Sequence, residues 1–146
     1  MSELPEKLQK FVRESRSLDK MMRNMYLLEY AQRLDEYPEE AMDDAHRVRG
    51  CTSTVYVRAT GGEDRVTYQG WSDAQIVKGM VAVLVEGLSG QPADRIIQIT
   101  PDFIEESGVA DVLTHTRQGG FYNIFRRLQQ EALPYANSSE TALSTS

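Results

Sequence analysis

A chain of 146 residues, 40% hydrophobic and 26% charged, has the length and composition of one folded domain around a single core. Its formal net charge of −6 excludes general binding to nucleic-acid backbones, because no excess of cations exists to displace counterions. One cysteine and two histidines exclude an intramolecular disulfide, a Cys-rich zinc site and a cluster held by thiolates alone, so no metal and no cofactor of the chain's own is expected.

The opening Met1-Ser2-Glu3-Leu4-Pro5-Glu6 has neither the basic nor the apolar region of a secretory signal. The longest apolar stretch, residues 76–88, is broken by Lys78 and Glu86 and is too short to span a bilayer. The expectation is a cytoplasmic protein with no membrane partner. Leu4, Leu8, Phe11, Val12 and Leu18 recur at helical spacing and predict an amphipathic helix over 4–18, with Pro5 tolerated in its first turn. Asp19 is placed to cap a second helix that runs to about residue 34, with Met21, Met22, Met25, Leu28 and Ala31 as its apolar positions. Tyr37-Pro38 ends the helical pattern. Residues 38–50 are polar and read as a surface connection with a helical turn around 39–45, ending at Gly50-Cys51.

Alternation over 54–59 predicts a strand with Val55, Val57 and Ala59 on one face. Gly61-Gly62-Glu63-Asp64 is a turn, and 65–69 returns as the second strand of an antiparallel hairpin. Ser72-Asp73-Ala74-Gln75 has the pattern of a capping box and predicts a helix over 73–88. That helix is apolar on most sides and is therefore the central buried one, with Gly79 marking close packing against the sheet. Ile97 and Ile99 suggest a short third strand, Pro101-Asp102-Phe103 starts a short helix that Gly108 stops, and a last helix covers 119–133 with Phe121, Ile124, Phe125 and Leu128 as its stripe. One domain, 1–133, is expected, followed by a disordered tail, 134–146, rich in Ser, Thr and Ala.

Cys51 is the residue with the most chemistry. It lies where a polar connection meets a strand, after a glycine that permits backbone angles closed to other residues. The thiolate is the reactive form of a cysteine, and Arg47, Arg49 and His46 bring positive charge within five residues. A thiolate that attacks the outer sulfur of a partner's persulfide performs the displacement of thiol–disulfide exchange, with no need for a second cysteine on the same chain. From the residues alone this reading stands level with its alternative, in which a lone cysteine is a small, inert core hydrophobe.

Gly50-Cys51-Thr52-Ser53-Thr54-Val55-Tyr56-Val57 resembles the active-cysteine segment of the SufE family of sulfur acceptors, Gly-Cys-x-Ser-x-Val followed by an aromatic, usually Trp, where Tyr56 stands here. Three more segments resemble the family in the same order along residues 4–133. They are Tyr26-Leu27-Leu28-Glu29-Tyr30-Ala31-Gln32-Arg33-Leu34, the block Ser72-Asp73-Ala74-Gln75-Ile76-Val77-Lys78-Gly79, and Leu113-Thr114-His115-Thr116-Arg117-Gln118-Gly119-Gly120. In the last, Gly119 replaces an amide side chain that the family usually carries there. The resemblance implies an α+β fold, an antiparallel sheet of about three strands packed against helices, shared with IscU-type scaffolds. It implies Cys51 as the persulfide carrier, with Gly50, Ser53, Asp73 and Arg117 supporting its loop or docking a partner. The implied partners are a pyridoxal-phosphate-dependent cysteine desulfurase of the SufS type, which the carrier stimulates, and a downstream iron–sulfur scaffold that receives the sulfur. Three rival readings remain. One is a single-cysteine hydrolase or transferase using His46 or His115 as base, one an iron–sulfur scaffold, and one an interaction module with an incidental cysteine.

Overall fold

In the computed structural model, residues 4–62 and 64–136 are described. The chain begins with two helices, α1 (Glu6–Arg16) and α2 (Lys20–Gln32), and Asp19 caps the second by accepting the Met22 N–H at 2.9 Å. Two short 3-10 turns, Glu39–Ala41 and Asp44–His46, fill the polar connection. The hairpin follows as β1 (Val55–Gly61) and β2 (Val66–Ser72), antiparallel in the register Val55↔Ser72 to Gly61↔Val66. Then come α3 (Gln75–Leu88), α4 (Ala93–Gln98), α5 (Asp102–Glu106) and the long α6 (His115–Ala132). The architecture is α+β: six helices and a two-stranded antiparallel sheet among the described residues.

The centre of the core is α3, which buries Val77, Met80, Val81, Val83, Leu84 and Leu88 and packs against α1, α2, β2 and α6. Gly79 shows why the packing can be this close. The close neighbour is α2 and not the sheet that was expected: a Cβ there would collide with the main-chain oxygen of Leu27, so the backbones of α2 and α3 touch. That approach turns Leu27, Tyr30 and Ala31 of α2 into the core and leaves Met21, Met22 and Met25 exposed. The hairpin covers another side of α3, with Val55, Val57, Val66 and Tyr68 buried on its inner face. The buried stripe of α6, Phe121, Ile124, Phe125 and Leu128, completes the core as its spacing predicts.

Three expectations are corrected. Ile97 and Ile99 do not form a third strand: Ile97 lies in α4 and Ile99 caps it. Ile96 and Ile99, three apart, turn to the core together, and Gln129 of α6 donates its amide to both their carbonyls at 3.0 and 2.9 Å, taking the acceptors a strand would need. The capping box does not form either, because Ser72 stays paired with Val55 in the sheet. Its hydroxyl accepts the Ala74 N–H at 3.3 Å, and the helix starts at Gln75. The last helix begins at His115, four residues earlier than expected, because Thr114 caps it by accepting the Arg117 N–H at 3.2 Å. Leu133–Tyr135 forms a further 3-10 turn, and the rest of the expected tail, 137–146, lies outside the described residues.

Candidate functional site around Cys51

Cys51 sits in the connection that leaves the second 3-10 turn and enters β1. Gly50 before it has φ +84°, a left-handed conformation that glycine adopts without penalty. A Cβ at this position would lie 2.6 Å from the Asn123 side-chain nitrogen, so the glycine also makes room for a contact. Through that gap Asn123 Nδ2 donates to the Gly50 carbonyl at 3.0 Å. The Cys51 thiol points to the carbonyl of Gly120 on the same helix, with sulfur and oxygen 3.9 Å apart. Gly120 is buried, and a Cβ there would approach the sulfur to 3.6 Å.

The base of the loop is closed by main-chain bonds. Val48, buried, donates its N–H to the Val55 carbonyl at 2.9 Å. Asp73 reaches across from the end of β2: its carboxylate accepts the Thr54 N–H at 3.1 Å, and its own N–H donates to the Thr54 carbonyl at 3.3 Å. Asp73 thus ties the C-terminal end of the loop to the hairpin. On the N-terminal side Arg127 of α6 donates to the Ala45 and Arg47 carbonyls at 2.6 and 2.8 Å, while its Nε donates to Glu131 at 2.8 Å. Ser53 is half-buried in the loop. Arg117 is half-buried in the first turn of α6, three residues before Gly120.

Burial is the larger influence on the thiol and pushes its pKa up; the Arg47 guanidinium draws it down less strongly. The expectation from charge alone, that the flanking cations would favour the thiolate, is reversed for the sheltered loop. Neither imidazole is hydrogen-bonded to the sulfur. Cys51 directs its hydrogen bond to Gly120, and His46 Nδ1 lies 2.6 Å from Asp43 Oδ1, a bond that holds the Asp43 carboxyl below its usual range. Among the described residues no group of three or more His, Cys, Asp or Glu side chains is placed to hold a metal ion. No helix among them is long and apolar enough to cross a membrane.

The outer face of the hairpin beside the loop carries a stack of aromatics. The Tyr37 and Tyr56 rings are 6.1 Å apart and the Tyr56 and Trp71 rings 6.0 Å apart, each pair nearly parallel. Tyr56 thus lies between the Tyr37 and Trp71 rings.

The SufE family model, described as an Fe-S metabolism associated domain, matches residues 9–132. The chain belongs to the SufE family. An uncharacterised SufE-like protein of Synechocystis is 44% identical over 133 residues, covering 90% of this chain and 84% of that one. A protein of Arabidopsis thaliana named SufE-like protein 1, chloroplastic/mitochondrial, is 36% identical over 91% of this chain but 36% of its own length. The cysteine desulfuration protein SufE of Plasmodium vivax is 38% identical over 60% of this chain and 38% of its own. This SufE-family chain therefore spans little more than a third of the length of the Arabidopsis and Plasmodium relatives. The solution structure of a hypothetical protein from Thermus thermophilus superposes with a TM-score of 0.78 at 27% identity, covering 90% of this chain and 97% of that one.

Reasoning from the sequence missed Gly120, Asn123 and Arg127, all of which hold the cysteine loop. A signal was present. Gly120, Asn123, Arg127 and Glu131 recur at steps of three, four and four along the last helix, beside its apolar stripe, and so line one face.

Proposed function

We propose that this SufE-family protein is a sulfur carrier that accepts the outer sulfur of a persulfide held by a pyridoxal-phosphate-dependent cysteine desulfurase and delivers it for iron–sulfur cluster assembly. Cys51 is the acceptor. The observation that carries this reading is the setting of the thiol: a single cysteine at a loop tip, with a firm base and a light hold on α6. Such a thiol can be sheltered between encounters and presented during one. The relative named as a cysteine desulfuration protein supports the same reading.

In the transfer, the Cys51 thiolate attacks the outer sulfur of the partner's persulfide. A sulfur–sulfur bond forms on Cys51 as the partner's own sulfur–sulfur bond breaks, and the partner's cysteine leaves as thiolate. The redox state is conserved and no external oxidant enters. An ordinary free thiol is roughly one-tenth ionised at pH 7.5. Burial at Gly120 lowers that share, so the productive state is the one in which the loop has left α6. Asp73 keeps the end of the loop in register with the hairpin during the movement. Arg117, three residues before Gly120 on α6, is the residue assigned to meet the partner in this reading.

The test is a desulfurase assay with and without this protein, followed by intact mass of the carrier. Stimulated sulfide release and a gain of one sulfur atom are expected for wild type, and neither for Cys51→Ser. Stimulation that survives in Cys51→Ser would reduce the protein to an interaction module.

A further inference from the structure

The cysteine loop is held to α6 at two points of unequal strength. Arg127 grips two carbonyls at once, Ala45 and Arg47, and Glu131 orients its guanidinium. Its side chain is only 18% exposed and its guanidinium is charged, which makes these bonds stronger than a neutral one, with the Arg47 bond partly buried and the Ala45 bond exposed. The next bonds along the chain are also firm: Val48 N–H to Val55, and the two-way link between Thr54 and Asp73. Between these fixed points lie residues 49–53. Their hold on α6 is one bond from the neutral, half-buried Asn123 amide to the carbonyl of the exposed Gly50, and a long thiol contact to Gly120. Asn123 stands one helical turn before Arg127, so the firm and the light attachment belong to one helix face. Gly50 and Asn123 also fit as a pair, because any side chain at 50 would strike the amide that holds the carbonyl.

We infer that Asn123 is a positioning residue, a latch that keeps the Cys51 loop sheltered, and that its single hydrogen bond breaks when the thiol is presented while the Arg127 anchor and the Asp73 link persist. The purpose of the latch rests on the carrier reading; its geometry does not. A neutral, exposed hydrogen bond biases such an opening by roughly 2- to 10-fold. That is enough to favour the closed loop and little enough for a docking protein to overcome. Thiolate chemistry then reports the open population, because the sulfur is screened by Gly120 in the closed one.

The experiment is alkylation of Cys51 by iodoacetamide across a pH series, on wild type, Asn123→Ala and Asn123→Asp, with denaturant unfolding of each. Asn123→Asp keeps the shape and removes the donor. Both variants should react roughly 2- to 10-fold faster than wild type. The pH midpoint of Asn123→Ala should move down toward the ordinary thiol range, that of Asn123→Asp is offset upward by its added negative charge, and the unfolding midpoints of both should stay close to wild type. Amide exchange should quicken at 50–53 and stay unchanged at Val48 and Val55. Alkylation rates equal to wild type in both variants would overturn the latch, as would rates that rise only in step with global unfolding. A desulfurase arm separates the two claims. If wild type takes up no sulfur while the alkylation differences stand, the carrier reading fails and the latch survives. If wild type is loaded and the variants react like it, the latch alone fails.

Discussion

The surroundings of α3 and the loop of Cys51 are built by opposite rules. Around α3 the chain is held by buried surface and by backbones in contact: Gly79 against Leu27, and Gly87 where a Cβ would strike Leu8. At the loop there is little buried surface, and position is set by a few directed polar bonds from α6 and β2. Apolar contact acts over the whole interface and gives way only when elements separate. A hydrogen bond to a loop carbonyl can be exchanged for one to water or to a partner at small net cost. The contrast puts rigidity where the fold needs it and release where the thiol needs it. The helix α6 belongs to both regions, with its Phe121–Phe125 side in the core and its Asn123–Arg127 side on the loop.

The sharpest way to break this comparison is to place the same side chain on a glycine in each region. Gly79→Val forces branches against a main-chain oxygen that cannot yield unless α2 and α3 part, and it should destabilise the protein by ~3 kcal/mol in denaturant unfolding. Gly119→Val meets open space on α6 and should stay within about 0.5 kcal/mol of wild type. Equal effects would mean that the close approach of α2 and α3 is not a constraint.

A smaller effect is expected at the firm anchor of the loop. Arg127→Ala leaves the Ala45 and Arg47 carbonyls and the Glu131 carboxylate without their donor, and should cost about 1–2 kcal/mol. The loss should appear as faster amide exchange around 45–48. If stability is unchanged, the loop is held by the Val48–Val55 and Thr54–Asp73 bonds alone.

The smallest effect is on the thiol. Its pKa is raised in the folded chain, so the folded state binds the proton more tightly than the unfolded one. The associated stability is complete below the unfolded thiol's pKa, near 8.5, and declines as pH rises from there through the folded value. The pH midpoint of Cys51 alkylation should accordingly lie above the ordinary thiol range. Arg47→Ala should raise it further, because the guanidinium is the influence that opposes burial. A midpoint below the ordinary range would mean that the flanking cations outweigh desolvation.

Much was legible in the chain itself. The steps Leu8 to Phe11 and Phe121–Ile124–Phe125–Leu128 specify which faces are buried, since a helix repeats its contacts every three or four residues. Asp19 announced the start of α2, the alternation over 54–59 the first strand, and Gly108 the stop after α5, where it adopts φ +79°. Cys51 could be singled out because it is the one thiol, and its neighbours resembled a known acceptor segment. These are local properties, carried by residues close in sequence.

What needed the tertiary structure were the outcomes of competition between distant segments. Ile97 and Ile99 have the preference of a strand, yet Gln129, some thirty residues away, takes the carbonyls of Ile96 and Ile99, and the segment is a helix. The methionines of α2 look like a buried stripe until Gly79 draws the opposite face inward. At the site, charge near Cys51 in sequence argued for a thiolate, but only the fold brings Gly120 against the sulfur and lets desolvation prevail. Asn123 and Arg127 lie 73 and 80 residues from the carbonyls of Gly50 and Arg47 that they hold. Sequence determines local conformation and the faces available for burial. Which face is used, and which side chain a distant carbonyl receives, follows from the one packing that buries all those faces together.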